Sequence, residues 1–511
     1  MSLLLSVGLF ISAFLATTWY IYQHYHRKHK NYPPGPIPWP FLGNVLQVDG
    51  KHIYISFMEW SKTYGKIMSV KLGFHRALVI NDPKMSREMF GDLTFSGRPQ
   101  AYFVTVLSGG CNGILVSEGN VWEAQRRFTL RHLRDFGFGK NIMQDLIMDN
   151  AQEVITWMRQ EAGHPLPDLQ RRLSLAVLNS LWTIISGQRY SQNDPHLKAL
   201  LDSIQEGAIA ITRHPFLIVA PWIRHILPTI SGYTKFQKVV DKMIGFFRDT
   251  IEEHKQSMVD GEPRDFIDSY LKEMKRTRDR TSSFYKDAGE QNLRAVVGDL
   301  FQAGSETTAI TLTWSILFLM THQDAQRKLQ KEIDHVIGQS RSPVLKDRLK
   351  MPYTEAVILE VSRMASVIPL GVFHSALVDT YFHDFYIPKG TWIWTNQYAI
   401  HMDPHVWGDP ENFHPERFLS KDGKTVLRTH ESWMPFSTGK RQCPGESLAR
   451  DSLFLFITSI FQKFTAVPEP NSPIPDILDS DDAFFRGPKP FSVIMKERVI
   501  LSSPIIITVG E

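Results

Sequence analysis

The alternation of hydrophobic and polar residues divides the chain into a helical middle and two flanks with short strands. Between about residues 120 and 365 the periodicity is mostly helical, and residues 287–322 form the longest proline-free stretch. A helix over that range would be on the order of 50 Å long, and its apolar residues occupy more than one face, as in a buried helix. Strand-like patterns occur in "KIMSVKLG", "RALVIND", "FYIPKGTWIWTN", "FSVIM" and "PIIITV". The sequence therefore predicts one large, mainly α domain with a minor β region.

An uncharged apolar run precedes this domain. Residues 3–22, "LLLSVGLFISAFLATTWYIY", are long enough to cross the hydrocarbon core of a bilayer as a helix. Arg27, Lys28 and Lys30 follow, and this charge distribution places the rest of the chain in the cytosol. A cleaved signal peptide is the alternative, which the missing basic segment before the run disfavours. We expect one N-terminal transmembrane anchor over residues 1–26.

The segment after the anchor is basic and then rich in proline. "PPGPIPWP", residues 33–40, favours a polyproline II conformation, which would act as a stiff spacer between the membrane and the cytosolic body. We expect a linker over residues 27–44 and one large domain over residues 45–511.

Composition excludes several classes of protein. The 511 residues are 43% hydrophobic and 22% charged, as in a globular protein, and the net charge of +4 is too small for this length to indicate nucleic-acid binding. The two cysteines, Cys111 and Cys443, are far apart, which fits a reducing compartment better than a disulfide framework. Neither a G-x-G-x-x-G nor a G-x-x-x-x-G-K-[ST] motif is found, so the chain has no evident nucleotide site of its own.

Cys443 lies in the positively charged loop "FSTGKRQCPGE", residues 436–446. Pro444 suits the first position of the helix predicted after it, which would place the thiol near a helix N-terminus that stabilises a thiolate. Lys440 and Arg441 add positive potential. The loop offers no base for a nucleophile and no second ligand for zinc, whereas one thiolate with cations nearby for carboxylates fits haem.

The loop also matches a known signature. Phe436, Gly439, Arg441, Cys443 and Gly445 match the F-x-x-G-x-R-x-C-x-G motif of the cytochromes P-450. The chain resembles this family of haem-thiolate mono-oxygenases, in particular the animal microsomal clan of drug-metabolising, steroid-hydroxylating and arthropod hormone enzymes. The resemblance implies the cytochrome P-450 fold, haem b as the cofactor, these five residues around it, and the Cys443 thiolate as axial ligand of the iron.

A second match lies in the long helix. "AGSETT", residues 303–308, resembles the oxygen-activating motif of the family. Ala303 and Thr307 share one helix face, and Gly304 permits a kink or the close approach of a ligand. The resemblance implies that Ala303 contacts haem and that Glu306 and Thr307 deliver protons. A threonine that merely bonds back to its own helix is the alternative.

A third match concerns structure rather than chemistry. Glu360 and Arg363 in "EVSR" are three residues apart, and Arg417 follows in "PERF". Alone, such a helical pair is usually solvated and of small worth. The resemblance implies that the three side chains form a structural network behind the haem.

Four side chains outside the cysteine loop are implied as partners of the haem propionates. Trp122 and Arg126 in "WEAQRR" are four residues apart and share one helical face. Arg98 in "FSGRP" and His374 in "VFHSAL" match positions that reach propionates in microsomal members. A lone histidine in a structural role is the alternative for His374.

The helix that carries Trp122 also has a basic stripe. Arg127, Arg131 and Arg134 are rotated by about 100° from the Trp122 face, and Lys440 lies in the cysteine loop. A solvated basic face is one interpretation. The other is a docking surface for an NADPH-dependent flavoprotein reductase, with cytochrome b5 as a second donor.

The residues expected around the substrate are apolar, and an apolar cavity favours a lipophilic substrate such as an isoprenoid or steroid hormone precursor. Arg486 is a departure, because the family usually has an apolar residue in that loop. By family position the pocket includes Phe103, Val106, Leu107, Ala303, Val367, Ile368, Leu370, Phe484 and Phe485.

The sequence therefore predicts a mono-oxygenase of the endoplasmic reticulum membrane that inserts one oxygen atom from O2 into a lipophilic small molecule, by hydroxylation or epoxidation. A broad-specificity xenobiotic oxidase is the first alternative. A haem-thiolate isomerase or dehydratase is disfavoured by Glu306, Thr307 and the basic stripe. A non-enzymatic haem sensor would turn over no lipophilic compound, and bound haem would exclude a cysteine-nucleophile hydrolase.

Overall fold

The structure is a computed structural model that describes most of the chain and is dominated by helices. It describes residues 6–8, 10–19, 31–138, 141–192, 194–195, 197–203, 221–259, 261–427, 430–482 and 485–498. The α-helices with defined bounds are α1 (Ile53–Tyr64), α2 (Pro83–Gly91), α3 (Tyr102–Thr105), α4 (Gly119–Asp135), α5 (Asn141–Gln160), α6 (Leu169–Ser186), α7 (Ile223–Ile226), α8 (Tyr233–Ser257), α9 (Phe266–Arg276), α10 (Lys286–Thr321), α11 (Gln323–Val336), α12 (Pro352–Ala365), α13 (Gln397–His401), α14 (Pro404–Trp407) and α15 (Glu446–Lys463). Short 3-10 turns cover Leu93–Phe95, Leu345–Lys350, Pro415–Phe418 and Gly439–Arg441.

Short strands lie on either side of the helical middle. They are β1 (Ile67–Leu72), β2 (His75–Ile80), β3 (His374–Ser375), β4 (Thr380–Phe382), β5 (Phe385–Ile387), β6 (Trp392–Thr395), β7 (Phe464–Pro468), β8 (Ser480–Asp482), β9 (Arg486–Pro488) and β10 (Val493–Glu497). A four-stranded sheet has the order β1-β2-β6-β3, with β2 and β6 parallel and the other pairs antiparallel. The antiparallel pairs β7/β10, β4/β5 and β8/β9 are separate. The prediction of a mainly α fold with a minor β region is confirmed for the described residues.

Helix α10 runs through the core and confirms the helix predicted over 287–322. No proline interrupts it, and residues 308–320 are buried on every side, with Trp314 and Phe318 fully buried. At Gly304 the neighbouring helix α6 comes close, because a Cβ there would lie 2.3 Å from Leu181 Cδ2. The close contact that Gly304 permits in this structure is therefore with the packing helix α6.

The proline-rich segment lies against the edge strand β1. Ser69 donates its backbone N–H to the Pro34 carbonyl at 2.7 Å and its hydroxyl to the Pro33 carbonyl at 2.7 Å. Gly35 permits this contact, since a Cβ would lie 1.9 Å from the Ser69 carbonyl oxygen. These bonds hold the segment before the domain on the sheet.

Two predicted elements lie wholly or partly outside the described residues. The late strand "PIIITV" is wholly outside them. Within the described part of the chain, no helix is both long and apolar enough to cross a membrane. The predicted anchor overlaps residues that are not described, and it stays a prediction.

Candidate active site

The loop that carries Cys443 is fixed by close contact with α2. Gly439 has a φ of +77°, and a Cβ there would lie 2.0 Å from the Phe90 carbonyl oxygen, so glycine is required. The Cys443 N–H donates to the Phe436 carbonyl at 3.0 Å and closes the loop. Helix α15 begins only at Glu446, after Gly445 as its cap, so the prediction that Pro444 occupies its first position is wrong.

The Cys443 thiol is accessible but is not a preformed thiolate. Desolvation raises the pKa of the thiol, and a hydrogen bond from the Gly445 backbone opposes this rise without overcoming it. Helix α15 begins three residues after Cys443, and desolvation is the largest influence on the thiol, so its pKa is raised and not lowered. A neutral thiol is a weak nucleophile, whereas a bound metal ion removes the proton of its thiol ligand. These properties favour Cys443 as a metal ligand over Cys443 as a nucleophile.

Two buried arginines converge on residues 113–118, which we call the hub loop. Arg441 donates from Nη2 to the Ser117 carbonyl at 2.5 Å, and Arg98 donates from Nε to the Leu115 carbonyl at 2.9 Å. Burial, together with the charge of neighbouring arginines, lowers the pKa of Arg98 to about 9 and that of Arg441 to about 8. A carboxylate placed beside them would relieve this repulsion.

The hub loop is held from its other side by α10. Asp299 Oδ2 accepts the backbone N–H groups of Ile114 at 2.7 Å and Leu115 at 2.9 Å. Desolvation raises the pKa of Asp299 to about 7. Asp299 was not expected from the sequence as a site residue, and its one signal there is a position four residues before Ala303 on the same helix. Asp299 thus couples α10 to the loop that receives Arg98 and Arg441.

Trp122 and Arg126 on α4 lie beside the cysteine loop. The Trp122 side chain is buried, and its Nε1 has no hydrogen-bond partner. The Arg441 guanidinium lies over the Trp122 ring at 4.0 Å, and Arg126 Nη2 donates to the Gln442 carbonyl at 2.6 Å. The structure therefore brings these three predicted residues together and leaves one buried N–H free to donate.

His374 is buried on β3, next to the same arginines. Its ring stacks on Phe90 at 3.9 Å, and Nδ1, facing the Phe95 carbonyl at 2.9 Å, is the protonated nitrogen. Burial and the charge of Arg98 hold the pKa of His374 well below its usual range. The imidazole is therefore neutral, and its contact with a propionate stays a prediction.

Ala303 and Thr307 occupy an accessible part of α10. Ala303 is exposed although Phe301, two residues away, is fully buried. Thr307 Oγ1 donates to the Ala303 carbonyl at 2.9 Å, which is the back-bonded geometry weighed as the alternative. The same oxygen keeps its lone pairs, so it is able to accept a proton from a neighbour.

The Glu306 side chain contacts helix α6. Its carboxyl accepts hydrogen bonds from Ser174 and Gln170 on α6, and desolvation raises its pKa to about 7. A carboxyl with this pKa exchanges protons near neutral pH. Its partners on α6 were not expected from the sequence.

Glu360, Arg363 and Arg417 form a fully connected buried network. Arg363 donates from Nε and Nη2 to the two Glu360 carboxylate oxygens at 2.8 and 2.9 Å. Arg417 Nε donates to Glu360 Oε1 at 2.9 Å. Both Glu360 and Arg363 are fully buried, so the pair is not the solvated one that the spacing alone suggests.

The predicted substrate and docking residues differ in exposure. The docking residues Arg127, Arg131, Arg134 and Lys440 are all exposed. Phe484 and the side chain of Phe103 lie outside the described part of the structure. The other apolar pocket residues are half-buried: Val106, Leu107, Val367, Ile368, Leu370 and Phe485.

Comparison with known proteins identifies the family. The family described as "Cytochrome P450" matches residues 33–495. The chain belongs to the cytochrome P450 family. It is 35% identical to farnesoate epoxidase of Bombyx mori over 487 residues, which cover 93% of this chain and 96% of that protein. It is 40% identical to cytochrome P450 2J2 of Homo sapiens over 458 residues, which cover 87% and 88%. Cytochrome P450 2J5 of Mus musculus is 39% identical over 456 residues, which cover 87% of both chains.

Membership makes this P450 a haem-dependent mono-oxygenase, an oxidoreductase that incorporates molecular oxygen. Its residues fit the cofactor. Cys443 offers the sulfur ligand. Donors for two carboxylates come from the unpartnered Trp122 N–H and from the cations Arg98, Arg126 and Arg441. When bound, haem with a thiolate ligand supplies the activation of oxygen, and the protein supplies orientation and protons.

Proposed function

We propose that this P450 oxidises a lipophilic isoprenoid hormone precursor, most directly by epoxidation. The observation that carries the proposal is the identity of 35% to farnesoate epoxidase, which extends over 93% of this chain and 96% of the other. The apolar character of the described pocket residues, such as Leu107, Val367 and Phe485, supports a lipophilic substrate.

The proposed reaction divides one O2 between two products. One atom enters the substrate and the other leaves as water, with two electrons supplied from NADPH through a flavoprotein reductase and two protons delivered from solvent through the protein. Thr307 and Glu306 deliver the protons, and the Glu306 pKa of about 7 supports this role. In this proposal Cys443 would ligate the iron, and the propionates would be held by Arg98, Trp122, Arg126, His374 and Arg441.

We assign the enzyme to the endoplasmic reticulum membrane, with residues 1–26 as a single anchor and 27–44 as the linker. The microsomal P450 relatives support this membrane. The exposed arginines of α4 support docking of the reductase on the cytosolic side, with cytochrome b5 as a further donor on the same surface.

Spectral titration and turnover of the full-length holoenzyme test the substrate. Farnesoic acid, methyl farnesoate, a steroid and several unrelated drug-like compounds are each titrated while the haem spin state is followed, and each is then incubated with reductase and NADPH. We expect a spin-state shift at the lowest concentration for a farnesoate, and one dominant epoxide by mass spectrometry. No shift and no epoxide from either farnesoate would refute the proposal, and similar efficiency for all compounds would establish the broad-specificity oxidase instead.

A further inference from the structure

Arg486 is a fully buried cation in the wall of the predicted substrate pocket. It begins β9 directly after Phe485, and only 1% of its surface is exposed. Its side-chain hydrogen bonds go to backbone carbonyls, and its Nε is buried without a partner. A buried charge is costly unless its surroundings compensate it. The groups around Arg486 must therefore compensate its charge.

The guanidinium caps the end of helix α12. Nη1 donates to the carbonyls of Met364 and Ala365, both at 2.8 Å. These belong to the last turn of the helix, where carbonyls lack intrahelical donors and the dipole favours a cation. Nη2 donates to the Leu478 carbonyl at 2.9 Å, so the planar fork of one arginine joins two separate segments.

The backbone of Arg486 joins two walls of the pocket. Its N–H donates to the Val367 carbonyl at 2.8 Å, which connects the segment of the predicted pocket residues Val367, Ile368 and Leu370 to that of Phe485. Its carbonyl accepts the Trp314 Nε1–H at 3.1 Å, and its guanidinium lies over the Trp314 ring at 4.9 Å. Trp314 is about two helical turns beyond Thr307 on the same face of α10. Both walls are thus held against the helix that carries Thr307.

We propose that Arg486 is a positioning residue that sets the separation of these two pocket walls and thereby determines which carbon of a long lipophilic substrate is oxidised. It acts through Val367 and Phe485, which flank it, and does not itself touch the substrate. An apolar side chain at position 486 would leave the buried carbonyls of Met364 and Ala365 and the half-buried carbonyl of Leu478 without this donor, and the walls would settle at another separation. The proposal rests on the mono-oxygenase activity of the family and not on the identity of the substrate.

Optical titration with 1-alkylimidazoles of increasing chain length tests this role without turnover. The imidazole nitrogen binds the haem iron, and the alkyl tail reports the distance to the pocket wall. The variants are Arg486→Met, which is apolar, and Arg486→Lys, which keeps the charge but not the fork. Lys489→Met is the matched control, because Lys489 is exposed next to the same strand and pairs with Asp479 on the surface.

We expect the ratio of affinities for the longest and shortest imidazoles to change by about tenfold in Arg486→Met, the scale of one methylene in an apolar pocket. The affinity ratio should change less in Arg486→Lys, and in Lys489→Met it should equal that of the wild type. With any substrate that is oxidised at two carbons, the product ratio should move in the same order.

The proposal would be overturned if folded Arg486→Met showed the same dependence of imidazole affinity on alkyl chain length as the wild type. Where Arg486→Met yields no holoprotein, Arg486→Lys decides by the same titration. Failure of both variants to bind haem would assign Arg486 to folding alone and would also overturn it. Because the imidazoles bind whether or not farnesoate is a substrate, failure of the proposed function leaves this test intact.

Discussion

The two cysteines differ in surroundings although both are accessible. Cys443 lies in a loop whose shape is imposed by Gly439 against α2, beside Arg126 and Arg441. Cys111 donates instead to Gln100 Oε1 at 2.5 Å, in the segment before the hub loop. The pKa of each thiol is raised by desolvation, so neither is a ready nucleophile. What distinguishes Cys443 is the set of cations and the unpartnered indole around it.

Replacement of Cys443 tests its assignment as the axial ligand. Cys443→Ala should lose haem, or lose the reduced-carbon-monoxide absorption band that is characteristic of a thiolate ligand. Cys111→Ala should keep that band, because its thiol is outside the signature loop. A normal band in Cys443→Ala, measured on purified protein, would contradict the ligand assignment.

Thr307 offers a test of proton delivery within one helix. Thr307→Ala should continue to consume NADPH but form less product and more peroxide, since the hydroxyl that hands on protons is gone. Thr311→Ala is the matched control, because Thr311 Oγ1 donates to the Thr307 carbonyl at 2.8 Å in the same back-bonded way, one turn further on. The ratio of product to NADPH consumed is the measurement. Equal ratios in wild type and Thr307→Ala would remove Thr307 from the relay.

At the scale of elements, the sequence predicted what a contiguous pattern determines. Helix α10 follows from a long proline-free stretch, and the cysteine loop follows from a dense motif. The hub loop could not be predicted, because its position depends on Asp299, which is 184 residues beyond Leu115 in the chain. The partners of Glu306 on α6 were missed for the same reason. Contacts between distant segments carry no local signal in one sequence.

His401 joins two elements behind the cysteine loop. In α13 its Nδ1 donates to the Ser366 hydroxyl at 2.8 Å, and its Nε2 accepts the Met434 N–H at 3.1 Å. Ser366 itself donates to the Arg363 carbonyl, so the histidine must be neutral to satisfy every bond. Burial and the charge of Arg363 lower the pKa of His401 to about 3. The junction of α12, α13 and the segment before Cys443 is therefore sensitive to acid.

The sign of this effect follows from linkage. Because the folded pKa lies below the unfolded value of about 6.5, the unfolded chain binds the proton first. The contribution is complete above about pH 6.5 and is lost as pH falls towards 3, at about 1.4 kcal/mol for each pH unit. We expect His401→Gln to weaken the dependence of thermal stability on pH between 7.5 and 5.5, measured as loss of the carbon monoxide band. His405→Gln, at an exposed position in α14, should retain the wild-type dependence, and an unchanged slope in His401→Gln would contradict the assignment.

At the scale of the whole molecule, the positions of the charged residues say more about function than the net charge of +4 does. Arg98 and Arg441 are buried at the place proposed for the haem carboxylates, and Arg363 is buried in the network with Glu360. Exposed cations on α4 and at Lys440 lie on the outside of the same part of the molecule, since Arg126 of α4 bonds to Gln442 in the cysteine loop. A partner attracted to these exposed cations would approach on the side of the Cys443 loop.

Charge reversal on α4 tests this surface as the reductase docking site. The double variant Arg131→Glu and Arg134→Glu should raise the KM for reductase by about tenfold at low salt, because steering by surface charge acts on association, and the difference should shrink as salt screens it. Turnover supported by an organic hydroperoxide, which needs no reductase, should stay at the wild-type level. Lys389→Glu, at an exposed turn between β5 and β6, is the control with the same type of charge change and should leave the KM for reductase unchanged. A double variant with wild-type reductase kinetics at every salt concentration would move the docking surface elsewhere, whereas equal loss with hydroperoxide would show that the substitutions damage the haem site instead.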